Sequence, residues 1–281
     1  TGSEGTFGVA TKITVRLLHQ PEAVKTFLGI FPDVDSACTA VSAVIGHGIV
    51  PAALEMIDAL SIRAVQNVMD AGYPDDAGAV LLIELEGLQE EVDEIGEEVE
   101  AALWESGPTQ VRTAEKAEDR DILWVGRKGA LGALGSLAPN YYLVDGVVPR
   151  TQLTQVLRRV AEISQEHGIP IANVFHAGDG NLHPCLLFDE RKPGAMAAIV
   201  AAGAEGMKVC VDAGGTLTGE HGVGLEKKEL MHLVFTEDDM AAMRLVREAF
   251  APENRLNPGK IFPDGIHYLP PARRPEPGLS I

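Results

Sequence analysis

Two short apolar runs, residues 169–175 and 185–188, flank the stretch His176-Ala177-Gly178-Asp179-Gly180-Asn181-Leu182-His183. An Asp-Gly pair between two such runs is a strong β-hairpin signal. This feature constrains the fold most, because strand side chains alternate and a one-residue slip would turn every side chain to the opposite face. With Asp179 and Gly180 as the two central turn residues, Gly178 pairs with Asn181, Ala177 with Leu182, and His176 with His183. Opposed residues on one face have Cβ atoms about 4.5–5.5 Å apart. Two imidazoles so placed can share one ion at about 2.0–2.1 Å each. The expectation is a divalent metal at His176 and His183. The plain alternative is two satisfied histidines beside an ordinary turn.

A second loop, Ala213-Gly214-Gly215-Thr216-Leu217-Thr218-Gly219-Glu220-His221-Gly222-Val223-Gly224, has five glycines in twelve residues. That density points to backbone conformations closed to other residues, or to close approach of a ligand. Glu220 is the candidate third metal ligand, and three protein ligands with an open position describe a catalytic site. The adjacent His221 is a candidate general base, since an imidazole titrates near neutrality.

The chain has 281 residues, 46% of them hydrophobic and 23% charged, as in ordinary globular proteins. A net charge of −18 argues against nucleic acid and anionic membrane surfaces, which recruit basic patches. Cys38, Cys185 and Cys210 show no CxxC spacing. They suit buried thiols in a reducing cytoplasm rather than a disulfide framework. No apolar run reaches the roughly 18 residues of a membrane span, and no signal peptide is visible. The opening residues read as the middle of a domain, so the chain is expected to be a fragment of something longer.

Short strands alternating with amphipathic helices, together with the hairpin, predict an α+β fold with helices on a mostly antiparallel sheet. Strands are expected at 7–18, 26–32, 50–56, 79–86, 109–113 and 141–148. Helices are expected at 35–45, 59–69, 90–105, 115–131, 151–167 with Thr151 as cap, 195–211, 225–235 and 237–250. From Pro263 the proline-rich chain is expected to run extended. The acidic run 90–100 reads as a solvated helix face. Asn257-Pro258-Gly259-Lys260 reads as a turn. On spacing alone, Arg127 reads as an exposed helix arginine, and His19, His47, His167, His232 and His267 receive no role.

Several motifs together resemble the FAD-linked oxidases of the vanillyl-alcohol-oxidase and p-cresol-methylhydroxylase type. They are Gly2-Ser3-Glu4-Gly5-Thr6-Phe7-Gly8, His176 through His183, Gly219-Glu220-His221-Gly222-Val223-Gly224 and Asn257-Pro258-Gly259-Lys260. Trp124 to Arg127 and Asn140-Tyr141-Tyr142-Leu143-Val144-Asp145-Gly146 look most like the glycolate oxidase and D-lactate dehydrogenase branch.

The resemblance implies a ferredoxin-like cap domain at residues 21–240. It also implies remnants of an FAD-binding domain at 1–20 and a segment returning to the flavin at 241–281. The implied activity is oxidation of a small D-2-hydroxy acid, glycolate or D-lactate, with hydride passing to FAD. His176, His183 and Glu220 resemble metal ligands, for zinc first and manganese or iron as alternatives. His221 resembles the base, and Arg127 the anchor for the substrate carboxylate. Ser3, Glu4, Gly5, Thr6, Asn257 and Lys260 resemble flavin-proximal residues, although most of the flavin site would lie in segments preceding Thr1. Related 2-hydroxyglutarate and lactate enzymes carry a lysine in the tyrosine-rich strand and tend to have an asparagine two residues past the second histidine. Tyr142-Leu143 and Cys185 stand in those places, which favours a small substrate.

Implied partners are a second flavoprotein and an iron–sulfur subunit, which would bring a cytoplasmic protein to the inner face of a membrane, or a second copy of the chain. Two other readings use the same residues. A His-His-Glu site with an adjacent base also suits a metal-dependent hydrolase, and a fragment without flavin can serve as a non-catalytic interaction subunit.

Overall fold

The computed structural model describes residues 1–264, which fall into two compact units, Arg16–His221 and Thr1–Val15 with residues 222–264. The proline-rich segment from residue 265, with His267, lies outside the described residues.

The larger unit is built on antiparallel strands. β1 (Ala23–Phe31), β2 (Ala53–Asp58), β3 (Ala79–Gly87) and β4 (Gln110–Ala114) stand in the order β4-β1-β3-β2, and β7 (Ile171–His176) adds to β2. Helices α1 (Val34–Gly46) and α3 (Gln89–Glu105) cover one face, and α2 (Ala59–Val68) and α4 (Ala117–Ala133) the other. Burial on both faces explains why residues 79–83 are apolar without interruption. Leu81 and Ile83 enter the core under α1 and α3, while Val80 and Leu82 enter the core under α2 and α4. The ferredoxin-like α+β expectation holds. α1 starts at the Asp33 carboxylate, which caps Ser36 N–H at 2.7 Å, and α2 starts in the same way at Asp58.

α5 (Leu153–His167) and α6 (Ala195–Asp212) frame a second strand group. β8 (Asn181–Leu182) and β9 (Pro184–Phe188) run back along β7 and pair in turn with β6 (Gly146–Val147) and β5 (Asn140–Leu143).

Here the structure corrects several sequence expectations. The segment 141–148 is two strands, broken at Val144-Asp145. Pro184 opposite has no N–H for the ladder, and the Val144 N–H goes to the Pro184 carbonyl at 2.9 Å. The hairpin loop has four residues, 177–180, so His176 pairs with Asn181 and not with His183. Gly180 takes φ +72°, and a Cβ there would stand 2.1 Å from the Val148 carbonyl oxygen. Thr151 does not cap α5. It lies in a tight 3-10 turn, Arg150–Gln152, set by the Gln152 N–H donating to the Pro149 carbonyl at 2.7 Å. Residues 7–18 form no strand and are exposed, because no strand among the described residues offers them a ladder.

In the smaller unit, α7 (Glu237–Phe250) begins with a reciprocal capping box between Thr236 and Asp239. The helix expected over 225–235 is only a 3-10 segment, Lys228–Leu233, held by bonds such as Leu230 N–H to the Lys227 carbonyl at 2.9 Å. Gly222 and Gly224, at φ +85° and +55°, turn the chain just before it. Arg247 gathers the carbonyls of Leu256, Asn257 and Lys260 and the Asn254 side chain, which shapes the 254–260 turn.

Two predictions follow from this packing. Burial pushes the Cys185 thiol up to about 12 and the Cys38 thiol up to about 11. Both should therefore resist maleimide at pH near 8 in the native protein and react fully once denaturant is added; rapid native labelling would refute their burial. Gly180→Ala should lower stability in chemical denaturation by at least about 1–3 kcal/mol.

Candidate metal centre and active site

The site in the larger unit grows from strand register. Glu55 on β2 lies directly across from His176 on β7, and His176 lies across from Asn181 on β8. His183, two residues beyond Asn181, is the diagonal neighbour of His176 on the same face, which keeps the two rings close. Their centroids are 5.2 Å apart and nearly perpendicular. On the other side, the pairing of Leu143 with Cys185 and of Gly146 with Leu182 brackets Asp145 opposite His183. Asp145 Oδ1 is 3.6 Å from His183 Nε2.

Glu220 and His221 come from the glycine-rich loop after α6. That loop is tied down at Thr216, which bridges to Val147, and at Asp145. The Asp145 carboxylate is fully buried. It accepts from the Thr218 hydroxyl at 2.6 Å and from the backbone N–H groups of Gly219, Glu220 and His221 at 3.0, 3.3 and 3.1 Å. Successive N–H groups converging on one anion form a nest. Gly219 lies flat against the Asn181 amide, and a Cβ there would be 2.2 Å from Asn181 Oδ1. Only glycine lets the loop approach the hairpin so closely.

This folding brings the three sequence-predicted ligands together. Glu220 Oε1 is 3.3 Å from His176 Nε2 and 3.4 Å from His183 Nε2. The three ligand atoms lie within 4.8 Å of one another. In a tetrahedral site with bonds of about 2.0–2.2 Å, ligand atoms stand about 3.3–3.6 Å apart. His183 Nε2 is buried and has no hydrogen-bond partner, which is costly unless something else satisfies it. Both observations fit a divalent cation. His221 stacks on His183 with centroids 4.9 Å apart, and its Nε2 is 3.6 Å from Glu220 Oε1.

Two buried carboxylates at the site, Asp145 and Glu55, received no role from the sequence. Glu55 Oε1 accepts from His176 Nδ1 at 2.7 Å, which leaves the Nε2 lone pair for the site. The same hydrogen bond holds the His176 imidazole above the ordinary histidine pKa, against the opposing effect of burial. Glu55 Oε2 accepts from Arg127 Nε and Nη2 at 3.1 and 2.7 Å. Arg127 therefore reaches the site from α4, half committed to Glu55. The flavin-proximal candidates lie in the smaller unit. Asn257 Nδ2 donates to the Glu4 carbonyl at 2.5 Å, and the Glu4 carboxylate accepts from Val223 and Gly224 N–H at 2.7 and 2.8 Å. Thr6 closes onto the Ser3 carbonyl at 2.6 Å, with Gly5 at φ +73° between them. Lys260 enters this arrangement through its carbonyl, which accepts from Arg247 at 3.2 Å.

Asp145→Ala would leave its donors without their acceptor, at about 1–3 kcal/mol for each one that stays buried. Hydrogen exchange in a peptide spanning 216–221 should accelerate strongly while the β1–β3 peptides stay protected. Unchanged exchange in that loop would show that Asp145 is not its anchor.

Comparison with known proteins places this geometry. Residues 20–261 match the family described as FAD linked oxidases, C-terminal domain. Glycolate oxidase subunit GlcD of Escherichia coli (strain K12) is 45% identical over 263 residues, covering 94% of this chain and 53% of that protein. D-lactate dehydrogenase (cytochrome), mitochondrial, of Arabidopsis thaliana is 29% identical, over 95% of this chain and 47% of that protein. The chain thus spans about half the length of the curated relatives it matches. Among solved structures, p-cresol methylhydroxylase with substrate bound aligns at TM-score 0.66 and 15% identity, over 86% of this chain and 53% of that one. 4-ethylphenol oxidase from Gulosibacter chungangensis, in its isoeugenol complex, aligns at 0.64 and 15%, over 89% and 56%. These two likenesses establish the fold.

Proposed function

The chain belongs to the FAD-linked oxidases, whose C-terminal domain it carries, and on that premise we propose that it forms the substrate- and metal-holding part of an enzyme oxidising a small D-2-hydroxy acid. Glycolate and D-lactate are the proposed substrates, each going to its 2-oxo acid with FAD as hydride acceptor. The observation that carries this reading is the meeting of His176 Nε2, His183 Nε2 and Glu220 Oε1 around a buried, unpartnered imidazole nitrogen. The relatives named for glycolate and D-lactate chemistry support the substrate class.

His176, His183 and Glu220 would hold the divalent ion, with zinc proposed first and manganese or iron next. When bound, such an ion supplies Lewis acidity that lowers the pKa of a coordinated hydroxyl. FAD supplies the redox capacity. His221 takes the hydroxyl proton at Nε2, the nitrogen that faces Glu220. Arg127 has five N–H donors, of which Glu55 engages two; the others bind the substrate carboxylate and fix the direction of the C2 hydrogen. Ser3, Glu4, Gly5, Thr6, Asn257 and Lys260 are proposed to border the flavin.

GlcD is named as a subunit, which supports a multi-subunit assembly with a second flavoprotein and an iron–sulfur protein as proposed partners. No helix among the described residues is long and apolar enough to cross a membrane. The three cysteines, all buried, suit the cytoplasm as the proposed compartment.

Metal analysis should find about one equivalent of divalent metal, lost in His183→Ala. His221→Asn should retain the metal and slow reduction of bound flavin by glycolate or D-lactate about 10²–10⁴-fold. Flavin reduction at an unchanged rate in a metal-free protein would remove the Lewis acid from the reaction. An unchanged rate in His221→Asn would remove the base.

A further inference from the structure

We propose that Glu55 is a positioning residue that couples the substrate-carboxylate anchor to the metal ligand, so that Arg127 governs the metal site without touching it. The inference rests on the metal reading of His176 given above. It is carried by how the Glu55 oxygens divide between partners. Oε1 takes His176 Nδ1 at 2.7 Å, and Oε2 takes Arg127 at 3.1 and 2.7 Å. The Glu55 and Arg127 side chains are only 11% and 15% exposed, so water is a poor substitute for either contact. β2 and β7 set Glu55 directly opposite His176, which puts the carboxylate within reach of the ring, and Arg127 holds its second oxygen.

The chain of contacts has a direction. An ionised carboxylate only accepts, so both His176 Nδ1 and Arg127 must donate to it. His176 is thereby fixed with its proton on Nδ1 and its lone pair on Nε2, the atom that faces Glu220. A neutral glutamine in this place has one acceptor oxygen and one donor amide. His176 and Arg127 donate to different terminal atoms of Glu55, so in the glutamine one of these donors would meet the amide NH₂ and that link breaks. Removing the guanidinium leaves Glu55 without the partner that holds its second oxygen, and the carboxylate can then rotate off His176. The family resemblance implies only a substrate contact for Arg127; the geometry gives it a second task on its other side.

The test measures zinc affinity by competition with a chromophoric chelator, in wild type, Glu55→Gln, Arg127→Met and the double variant. Outer-shell carboxylates of this kind contribute about 10–100-fold to metal affinity, and that loss is expected in Glu55→Gln. Arg127→Met should also weaken zinc binding by several-fold, and the double variant should be no weaker than Glu55→Gln alone, because both changes break one chain. Wild-type zinc affinity in Arg127→Met, or losses that simply multiply in the double variant, would overturn the coupling. A second readout needs neither metal nor activity. In ¹⁵N-histidine NMR of the metal-free protein, recorded at a pH high enough that the His176 ring is neutral, His176 should appear as the Nδ1–H tautomer, and it should move toward a mixture in both single variants. An unchanged tautomer in both variants overturns the proposal. If wild type binds no zinc, the metal reading fails, and the NMR result still decides the Glu55 relay. Should Glu55→Gln not fold, Arg127→Met and Arg127→Lys carry both measurements.

Discussion

Asp145 holds four donors on two oxygens while removed from solvent, and the rest of the site is arranged around that fact. A buried carboxylate is expensive unless hydrogen bonds replace its lost hydration. Here they come from the Thr218 hydroxyl and three consecutive backbone N–H groups. The arrangement satisfies the charge and fixes the chain carrying Glu220 and His221. Without it, a loop rich in glycine would have many conformations, and the entropy of ordering it would fall on the metal or substrate. Because Asp145 also lies opposite His183, one carboxylate sets both the loop and its distance to the hairpin.

Glu55 does for His176 what Asp145 does for the loop, with a different economy. It sits on a strand rather than at a strand break, and its partners are side chains rather than backbone. The two carboxylates flank the histidine pair from opposite sides of the sheet direction, one on β2 and one beside β6. Each uses acceptor capacity to orient donors, so the two Nε2 atoms are left facing Glu220. The candidate metal site is built so that its three ligand atoms already face one another, which is what preorganisation requires.

Much of the site was legible from residue types and local spacing, and the missing parts have physical causes. The Asp-Gly turn located the hairpin, but a loop of four residues replaced the expected loop of two. That change moves the partner of His176 from His183 to Asn181, two residues along. A shift of two preserves the face, so the histidines still meet, diagonally. Glu55 could not be read, because it lies 121 residues from His176 and its pairing depends on which strands become neighbours. Asp145 stands within a sequence motif, yet its burial opposite His183 depends on a register no local pattern encodes. Helices with clear apolar spacing were placed within a few residues. The alternating segment 7–18 shows the converse failure: alternation describes what a strand needs on its faces, not whether a neighbour exists for its backbone.

The sheet narrows toward the site. β1 and β3 run for nine residues each, while β8 and β6 run for two. Where the ladder is long, backbone pairing alone dictates position, and side chains are free only to fill the core. Where it is short, position is set by a few side-chain acceptors instead. The strand core and the reactive corner are thus specified by different kinds of residue. The corner is modular in consequence: changing the length or charge of its loops can retune what it accepts, while the long strands beneath keep their register and carry the change without refolding.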